Sequence, residues 1–322
     1  MSVDVHGSLD QYLDQYLAIR RALGFKLERE GQLLAQFVSF LDAERTDQVT
    51  LEAAVRWATQ PADADPFWWG TRLAAVRGFT RWLVAFEPDT EVPPSDVLPL
   101  SSRRADPYPY TDADIAALMD AAGRLRSPLR AATYRTLIGL LAVTGMRVGE
   151  AIAMDRGDLD WSEGLVVVQH AKFGKSRELV LHPSTLDALH AYTRVRDSAC
   201  PQPVQPAFFI SGNGTRLIYK NVHFVFHQLV GEIGLRVLSS RCRPRIHDLR
   251  HRFAVTTLMR WYHAGEDLPV RMPQLSTYLG HAAPRDTYWY LRAAPELMSI
   301  AAQRLEAARE DSQEATVQGG LQ

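Results

Sequence analysis

Residues 144–150 read TGMRVGE and close the apolar run LIGLLAV, residues 137–143. Together with the stretch before it, that run predicts a helix over 127–143. Gly145 supplies the turn that stops it, because glycine alone enters left-handed backbone without steric cost. Arg147 then starts a further helix, and Glu150, three residues on, lies one face over.

Working outward from this turn, the next stretch is GLVVVQHAKFGKSRELVLHP, residues 164–183. Its two β-rich runs, Leu165–Gln169 and Glu178–Leu181, flank a Gly-containing turn and predict a β-hairpin with Lys172 near the tip. Ser184 to Asp187 opens another helix, and the proline-rich residues 200–206 form a loop. Further on, HDLRHRF (247–253) sets His247 and Arg250 three apart on one helix face. LGH ends at His281, and Tyr290 follows nine residues later within DTYWYL. Helical patterns cover about 221–233, 248–263, 271–279 and 294–309, and the polar tail 311–322 reads as disordered.

Upstream, Thr111-Asp-Ala-Asp114 is a capping-box start for a helix over 112–122. Before it, residues 91–109 hold five prolines (Pro93, Pro94, Pro99, Pro107, Pro109) and read as an extended linker. The first 90 residues show four amphipathic stretches, 9–17, 33–41, 51–59 and 71–86, with no strand pattern. Their aromatics Phe67, Trp68, Trp69 and Trp82 are expected in the core. The domains expected are 1–95, a linker 96–109, a second domain 110–300, and a helix end with tail at 301–322.

The chain has 322 residues, 46% hydrophobic and 23% charged, an ordinary globular composition. Net charge is -1, which excludes a uniform positive field but not a local one. Residues 1–100 sum to -6 and residues 235–292 to +6. Of the 36 cations, 32 are arginine and four are lysine: Lys26, Lys172, Lys175 and Lys220. Cys200 and Cys242 are isolated, so neither a disulfide scaffold nor a structural zinc is expected, and two lone thiols fit a reducing cytoplasm. No apolar run is long enough to span a bilayer, and the polar N-terminus is unlike a secretory signal.

Each signature is weak by itself, but the conjunction TGMRVGE, hairpin lysine, HDLRHRF, LGH and tyrosine, in that order, is specific. It resembles the tyrosine recombinases, the phage-integrase family of site-specific DNA recombinases, over about 110–300. The resemblance extends more loosely to the N-terminal helices, which are similar to the family's core-binding domain. It implies a mainly α fold with a small antiparallel β-sheet in the catalytic domain, the two domains forming a C-shaped clamp on duplex DNA. It places Arg147 and Arg250 as the catalytic arginines, Glu150 as a supporting acid, Lys172 as the hairpin lysine, His247 and His281 as the site histidines, and Tyr290 as the nucleophile.

The chemistry needs these residue types. Two arginine forks bind the non-bridging oxygens of an anionic phosphodiester. A phenol, with a reference pKa of about 10, must be helped to attack. The leaving 5′-oxygen needs a proton, which the lysine supplies. A 3′-phosphotyrosine conserves bond energy, so neither ATP nor metal is implied. Inverted half-sites bound by a tetramer, a Holliday-junction intermediate and a cytoplasmic, nucleoid-associated location follow from the same resemblance. Residues 295–309 dock on a neighbouring protomer or on their own domain. The motif wording after His281 is similar to transposon-borne and other mobile-element members, and the stretch from Arg250 to His281 is longer than in compact ones.

Alternatives remain within this reading. Lys175 shares the turn with Lys172 and is then a phosphate contact. Tyr288 lies near Tyr290 and, with Trp289, is expected to pack. His251 and Arg252 are structural or position phosphate. Further DNA contacts are expected from Arg72, Arg77, Arg81, Arg103, Arg104, Arg241, Arg243 and Arg245. A type IB topoisomerase-like relaxing enzyme and an idle DNA-binding accessory protein are the competing functions.

Overall fold

The computed structural model describes residues 8–46, 48–99, 105–169, 176–281 and 285–292. The chain folds as two compact units, Met1–Ala105 and Asp106–Gln322.

The first unit holds α1 (Leu9–Ala22), α2 (Glu28–Ala43), α3 (Leu51–Thr59) and α4 (Pro66–Leu83). Side-chain oxygens of Ser8, Thr50 and Asp65 accept from first-turn amides of α1, α3 and α4. The apolar stripes of the four helices meet in one core around Leu34, Phe37, Leu41, Trp57, Leu73, Phe79 and Leu83. Each such side chain contributes roughly 1.5–3 kcal/mol by leaving water. α4 starts five residues before the periodicity suggests, because Asp65 caps it and Pro66 presets the first turn. That start leaves Phe67 40% exposed, against the expectation of core packing, whereas Trp68 and Trp82 do pack on the core. Trp69 donates its indole N–H to the Pro61 carbonyl at 2.8 Å.

The second unit begins with α5 (Asp112–Gly123), capped by the reciprocal Thr111–Asp114 box read from the sequence. Then come α6 (Pro128–Thr144), α7 (Val148–Ala153), β1 (Leu159–Asp160), β2 (Leu165–Val168) and β3 (Arg177–Val180). The strands form one antiparallel sheet in the order β1-β2-β3, with Val168 opposite Arg177. β1 is too short to have left a pattern in the sequence. α8 (Pro183–Ala199), α9 (Tyr219–Glu232), α10 (Asp248–His263), α11 (Leu268–Leu279) and α12 (Arg285–Arg292) complete the described part. His182, not Ser184, caps α8, with Pro183 in its first turn.

The apolar α6 is the axis, packed by α5, α8 and α10. A smaller core of Ala254, Leu258, Met272, Leu275, Leu279 and Tyr290 joins α10, α11 and α12. Gly145 ends α6 with φ +62°, and a Cβ there would sit 2.5 Å from Phe253 Cδ1. Gly280 ends α11 in the same way, with φ +66°. Among the described residues no helix is long and apolar enough to cross a membrane. The stretch 294–309 and the tail 311–322 lie outside the described residues.

Candidate active site

Arg147 is the N-cap of α7. Its backbone N–H donates to Glu150 Oε2 at 2.9 Å, and its Nη1 donates to Glu150 Oε1 at 2.7 Å. The acid three residues on therefore fixes both the main chain and the guanidinium of the arginine. A third bond runs from Arg147 Nη2 to the Gly280 carbonyl, 3.1 Å. About a third of the side chain stays exposed, so its outer edge can reach an anion.

Arg250 sits in the first turn of α10 and is 2% exposed. Its Nη1 donates to the Gly145 carbonyl at 2.8 Å and its Nη2 to the Leu279 carbonyl at 2.5 Å. Burial pushes its pKa down to about 10, against the pull of the Tyr290 phenol and with the help of the Arg147 charge. It is therefore still a cation at neutral pH.

A third arginine completes this arrangement. Arg177, the first residue of β3, forks onto Glu150 with Nη1–Oε1 at 3.1 Å and Nη2–Oε2 at 2.7 Å. Its Nε donates to the Tyr278 carbonyl at 2.7 Å. Burial alone would raise the Glu150 carboxyl, but the bonds from Arg177 and Arg147 overcome it and hold the pKa at about 2. Three consecutive carbonyls at the C-terminus of α11, those of Tyr278, Leu279 and Gly280, each accept from a different arginine. A helix leaves its last carbonyls unpaired and its C-terminal end negative, so this end is a natural seat for cations.

His281 follows directly. Its Nδ1 lies 2.7 Å from Thr287 Oγ1, and its ring stacks on Tyr290 with centroids 5.8 Å apart. Burial, then the charges of Arg250 and Arg147, push its pKa down to about 4, so it is neutral at pH 7. Tyr290 is 5% exposed on α12, between His281 and the ring of His251, 5.1 Å away. His251 is buried, with its pKa pushed down to about 4 by burial first and then by the His247 and Arg245 charges. His247 stands exposed at the N-terminus of α10, where its carbonyl accepts from the Arg250 amide at 3.1 Å. Tyr288 is 48% exposed and does not pack, while Trp289 does, with the next residue Tyr290, because Tyr288 lies about 200° round the helix from Tyr290.

The structure thus brings together Arg147, Glu150, Arg250, His281 and Tyr290. Lys172 and Lys175 lie outside the described residues, as do Arg103 and Arg104.

Two expected DNA contacts are corrected outright. Arg72 is 7% exposed, lies over the Trp57 ring at 3.8 Å and donates to the Trp57 carbonyl. Arg77 is 6% exposed and donates to the Pro93 and Pro94 carbonyls, both at 2.7 Å. The roughly helical spacing of the three does not give them one face: Arg72 and Arg77 turn toward the protein interior, and Arg81 lies about 180° round α4 from Arg72. Arg81 is exposed, as is Arg243. Arg241 is exposed too and pairs with Asp106. Arg245 is spent on a bidentate bond to Asp248, and Arg252 on Asp112 and the Tyr110 carbonyl. Both arginines hold their own unit together rather than presenting free forks.

Arg177 and Thr287 are the site residues missed in the sequence. A signal for Arg177 was present: strand alternation puts it on the face of Leu179, which is buried. Thr287 left none, since α12 is short and its pattern is dominated by three aromatics. Among the described residues no group of three or more His, Cys, Asp or Glu side chains is gathered that could hold a metal ion.

The phage integrase family model matches residues 110–296. A Sinorhizobium fredii protein named as an integrase/recombinase, y4rB, is 43% identical over 94% of this chain and 98% of its own length. The tyrosine recombinase XerD of Mycobacterium leprae is 32% identical over 68% of this chain and 67% of its own. Among solved structures, the Tn1549 transposon integrase with a circular intermediate DNA superposes with TM-score 0.63 at 16% identity, covering 91% of this chain and 99% of that one. XerH bound to a palindromic difH substrate gives TM-score 0.63 at 15% identity, over 86% and 78%. The chain belongs to the phage integrase family, the tyrosine-type site-specific DNA recombinases.

Proposed function

We propose that the chain cuts and rejoins duplex DNA through a covalent 3′-phosphotyrosine. The observation that carries this reading is the convergence of Arg147, Arg250, His281 and Tyr290 on the C-terminus of α11. Tyr290 Oη attacks the scissile phosphorus, and the P–O5′ bond breaks. Lys172 gives its proton to the leaving 5′-oxygen. Arg147 and Arg250 hold the non-bridging oxygens, where charge grows in the transition state. Losing one such donor costs on the order of 10²- to 10³-fold in rate. His281, neutral and fixed through Nδ1 by Thr287, faces the phosphate with its other edge. His247 exchanges a proton with the phenol. Attack of the freed 5′-hydroxyl of a partner duplex on the phosphotyrosine restores the backbone, so two rounds of exchange pass through a Holliday junction without ATP or metal.

In this reading residues 1–95 are the core-binding domain, 96–109 the linker, 110–300 the catalytic domain and 301–322 the helix end and tail. Four protomers act on inverted half-sites. The exposed Arg81, Arg241 and Arg243, with Arg103, Arg104 and Lys175, supply phosphate contacts. Transposition or integration of mobile DNA in the bacterial nucleoid is the role most in keeping with the likeness to y4rB and to the transposon integrase.

The test is a pool of random-sequence duplexes, each carrying one nick, which traps cleaved product. Wild type gives SDS-stable, protease-sensitive adducts on a selected subset, and Tyr290→Phe gives none. An undiminished adduct in Tyr290→Phe moves the nucleophile elsewhere. Relaxation of any plasmid without sequence preference favours a topoisomerase instead.

A further inference from the structure

We propose that Arg177 is a positioning residue for DNA cleavage, setting the reach of Arg147 through the carboxylate the two share. The inference rests on the reading of Arg147 and Tyr290 given above.

The geometry is asymmetric in a telling way. Glu150 accepts four bonds, two from Arg147 and two from Arg177, and is itself 9% exposed. Arg147 keeps an exposed edge, whereas Arg177 is 10% exposed and turned wholly inward. Arg177 therefore offers nothing to a substrate; what it controls is where the carboxylate stands. Arg147 alone gives each carboxylate oxygen one bond, from its backbone N–H to Oε2 and from its Nη1 to Oε1, and the second of these shifts with the arginine side chain. The fork from Arg177 adds a second bond to each oxygen and leaves the carboxylate one orientation.

The same guanidinium makes a second link. By donating Nε to the Tyr278 carbonyl, Arg177 ties β3 to the end of α11, which also seats Arg147 and Arg250. A Cβ on Gly280 would lie 2.8 Å from Arg177 Nη1, so the main chain before His281 is packed directly on this side chain. β3 in turn begins two residues after Lys175 and five after Lys172 in the sequence, so the strand end next to them is pinned to the end of α11. A lysine at 177 could neutralise Glu150, but its single ammonium cannot span both carboxylate oxygens and the Tyr278 carbonyl.

The experiment uses the full chain and the nicked duplexes that wild type selects from the random pool. Melting, DNA affinity and the single-turnover rate of adduct formation at saturating protein are measured for Arg177→Gln, Arg177→Lys, Arg147→Lys and the double variant Arg147→Lys/Arg177→Gln. Arg177→Gln is expected to lose on the order of 10² in rate, since a displacement of about 1 Å in a positioned group costs that much. Its affinity should stay within about threefold of wild type, because Arg177 makes no phosphate contact. Arg177→Lys should fall between. With Arg147 already changed to lysine, removing Arg177 should cost less than about threefold more, since its effect runs through Arg147.

A wild-type cleavage rate in Arg177→Gln overturns the proposal. So does a loss confined to affinity, or a full 10² loss repeated in the Arg147→Lys background. If Arg177→Gln does not melt cooperatively, Arg177→Lys decides by its rate. Failure of both to fold makes Arg177 a scaffold residue only and also overturns it. Adducts persisting in Tyr290→Phe would instead sink the underlying reading of the site, whatever the Arg177 variants do.

Discussion

The Arg250 guanidinium donates to the Gly145 carbonyl at 2.8 Å, joining the first turn of α10 to the turn that ends α6. The carbonyl is available because Gly145 sits at φ +62°. TGMRVGE and HDLRHRF, whose Gly145 and Arg250 stand 105 residues apart in the sequence, are thus joined by a side-chain to main-chain bond. Gly145→Ala places a Cβ 2.5 Å from Phe253 Cδ1 and puts a non-glycine residue in left-handed backbone. The backbone cost alone is about 1–2 kcal/mol. Urea unfolding should show a loss of at least that size, and Phe253→Leu in the same chain should recover only the steric part.

Glu150 carries the clearest electrostatic prediction. Its folded pKa is about 2 against an ordinary 4.5. A depressed carboxylate adds stability in full above the ordinary value and loses it as pH falls toward the folded one, here between about 4.5 and 2. The linkage corresponds to about 3 kcal/mol. Glu150→Gln should be destabilised by roughly that amount at pH 7, and the gap to wild type should narrow as unfolding is repeated toward pH 2.5.

His251 titrates in a separate window. Its imidazole is depressed to about 4 in the folded chain, so the unfolded chain binds more protons between about 6.5 and 4. Stability must then fall as pH drops through that window and be unaffected above it. Replacing the ring with a group that cannot titrate, His251→Phe, should lessen the fall in melting temperature between pH 7 and 4.5 and leave the share that His281, also depressed to about 4, contributes. An unchanged slope would remove His251 as its source.

Thr287 holds the His281 ring at 2.7 Å. Thr287→Val keeps the shape and removes the hydroxyl. Adduct formation at saturating DNA should slow by about tenfold or more, with affinity little changed, because a loosened ring affects the reacting phosphate and not docking.

In the first unit, Arg77 and Arg81 should separate cleanly. Arg77→Ala leaves the Pro93 and Pro94 carbonyls without their donor and should lower the melting temperature. Arg81→Ala should leave melting unchanged and instead reduce the salt dependence of DNA binding by about one phosphate contact.

Much of this was legible beforehand because it is local. The Thr111–Asp114 box, the Gly145 stop and the β2–β3 pairing each depend on residues a few positions apart, and periodicity or cap chemistry encodes them directly. Arg250, His281 and Tyr290, which the structure brings together, were legible as a series for a different reason: their order and spacing are specific even though each is common. What was hidden is long-range. Arg177 meets Glu150 across 27 residues and Tyr278 across 101. Arg72 and Arg81 stand about 180° apart on α4, and only the neighbouring helices decide which of the two sides is inside.

The arginines at the end of α11 bind main chain, and this has a consequence for how the protein can change. Carbonyl oxygens are the same in every residue, so the seat survives apolar substitution at Leu279 but not a change of length. Deleting one residue between Met272 and Leu279 would shift the three carbonyls by about 1.5 Å and turn them by about 100°. Added length between Arg250 and His281 is therefore best carried upstream, where Gly265 turns the chain between α10 and α11. Insertions are expected to be tolerated in residues 264–267 and to be lethal to cleavage one helical turn later, a boundary that a scan of single-residue insertions would draw.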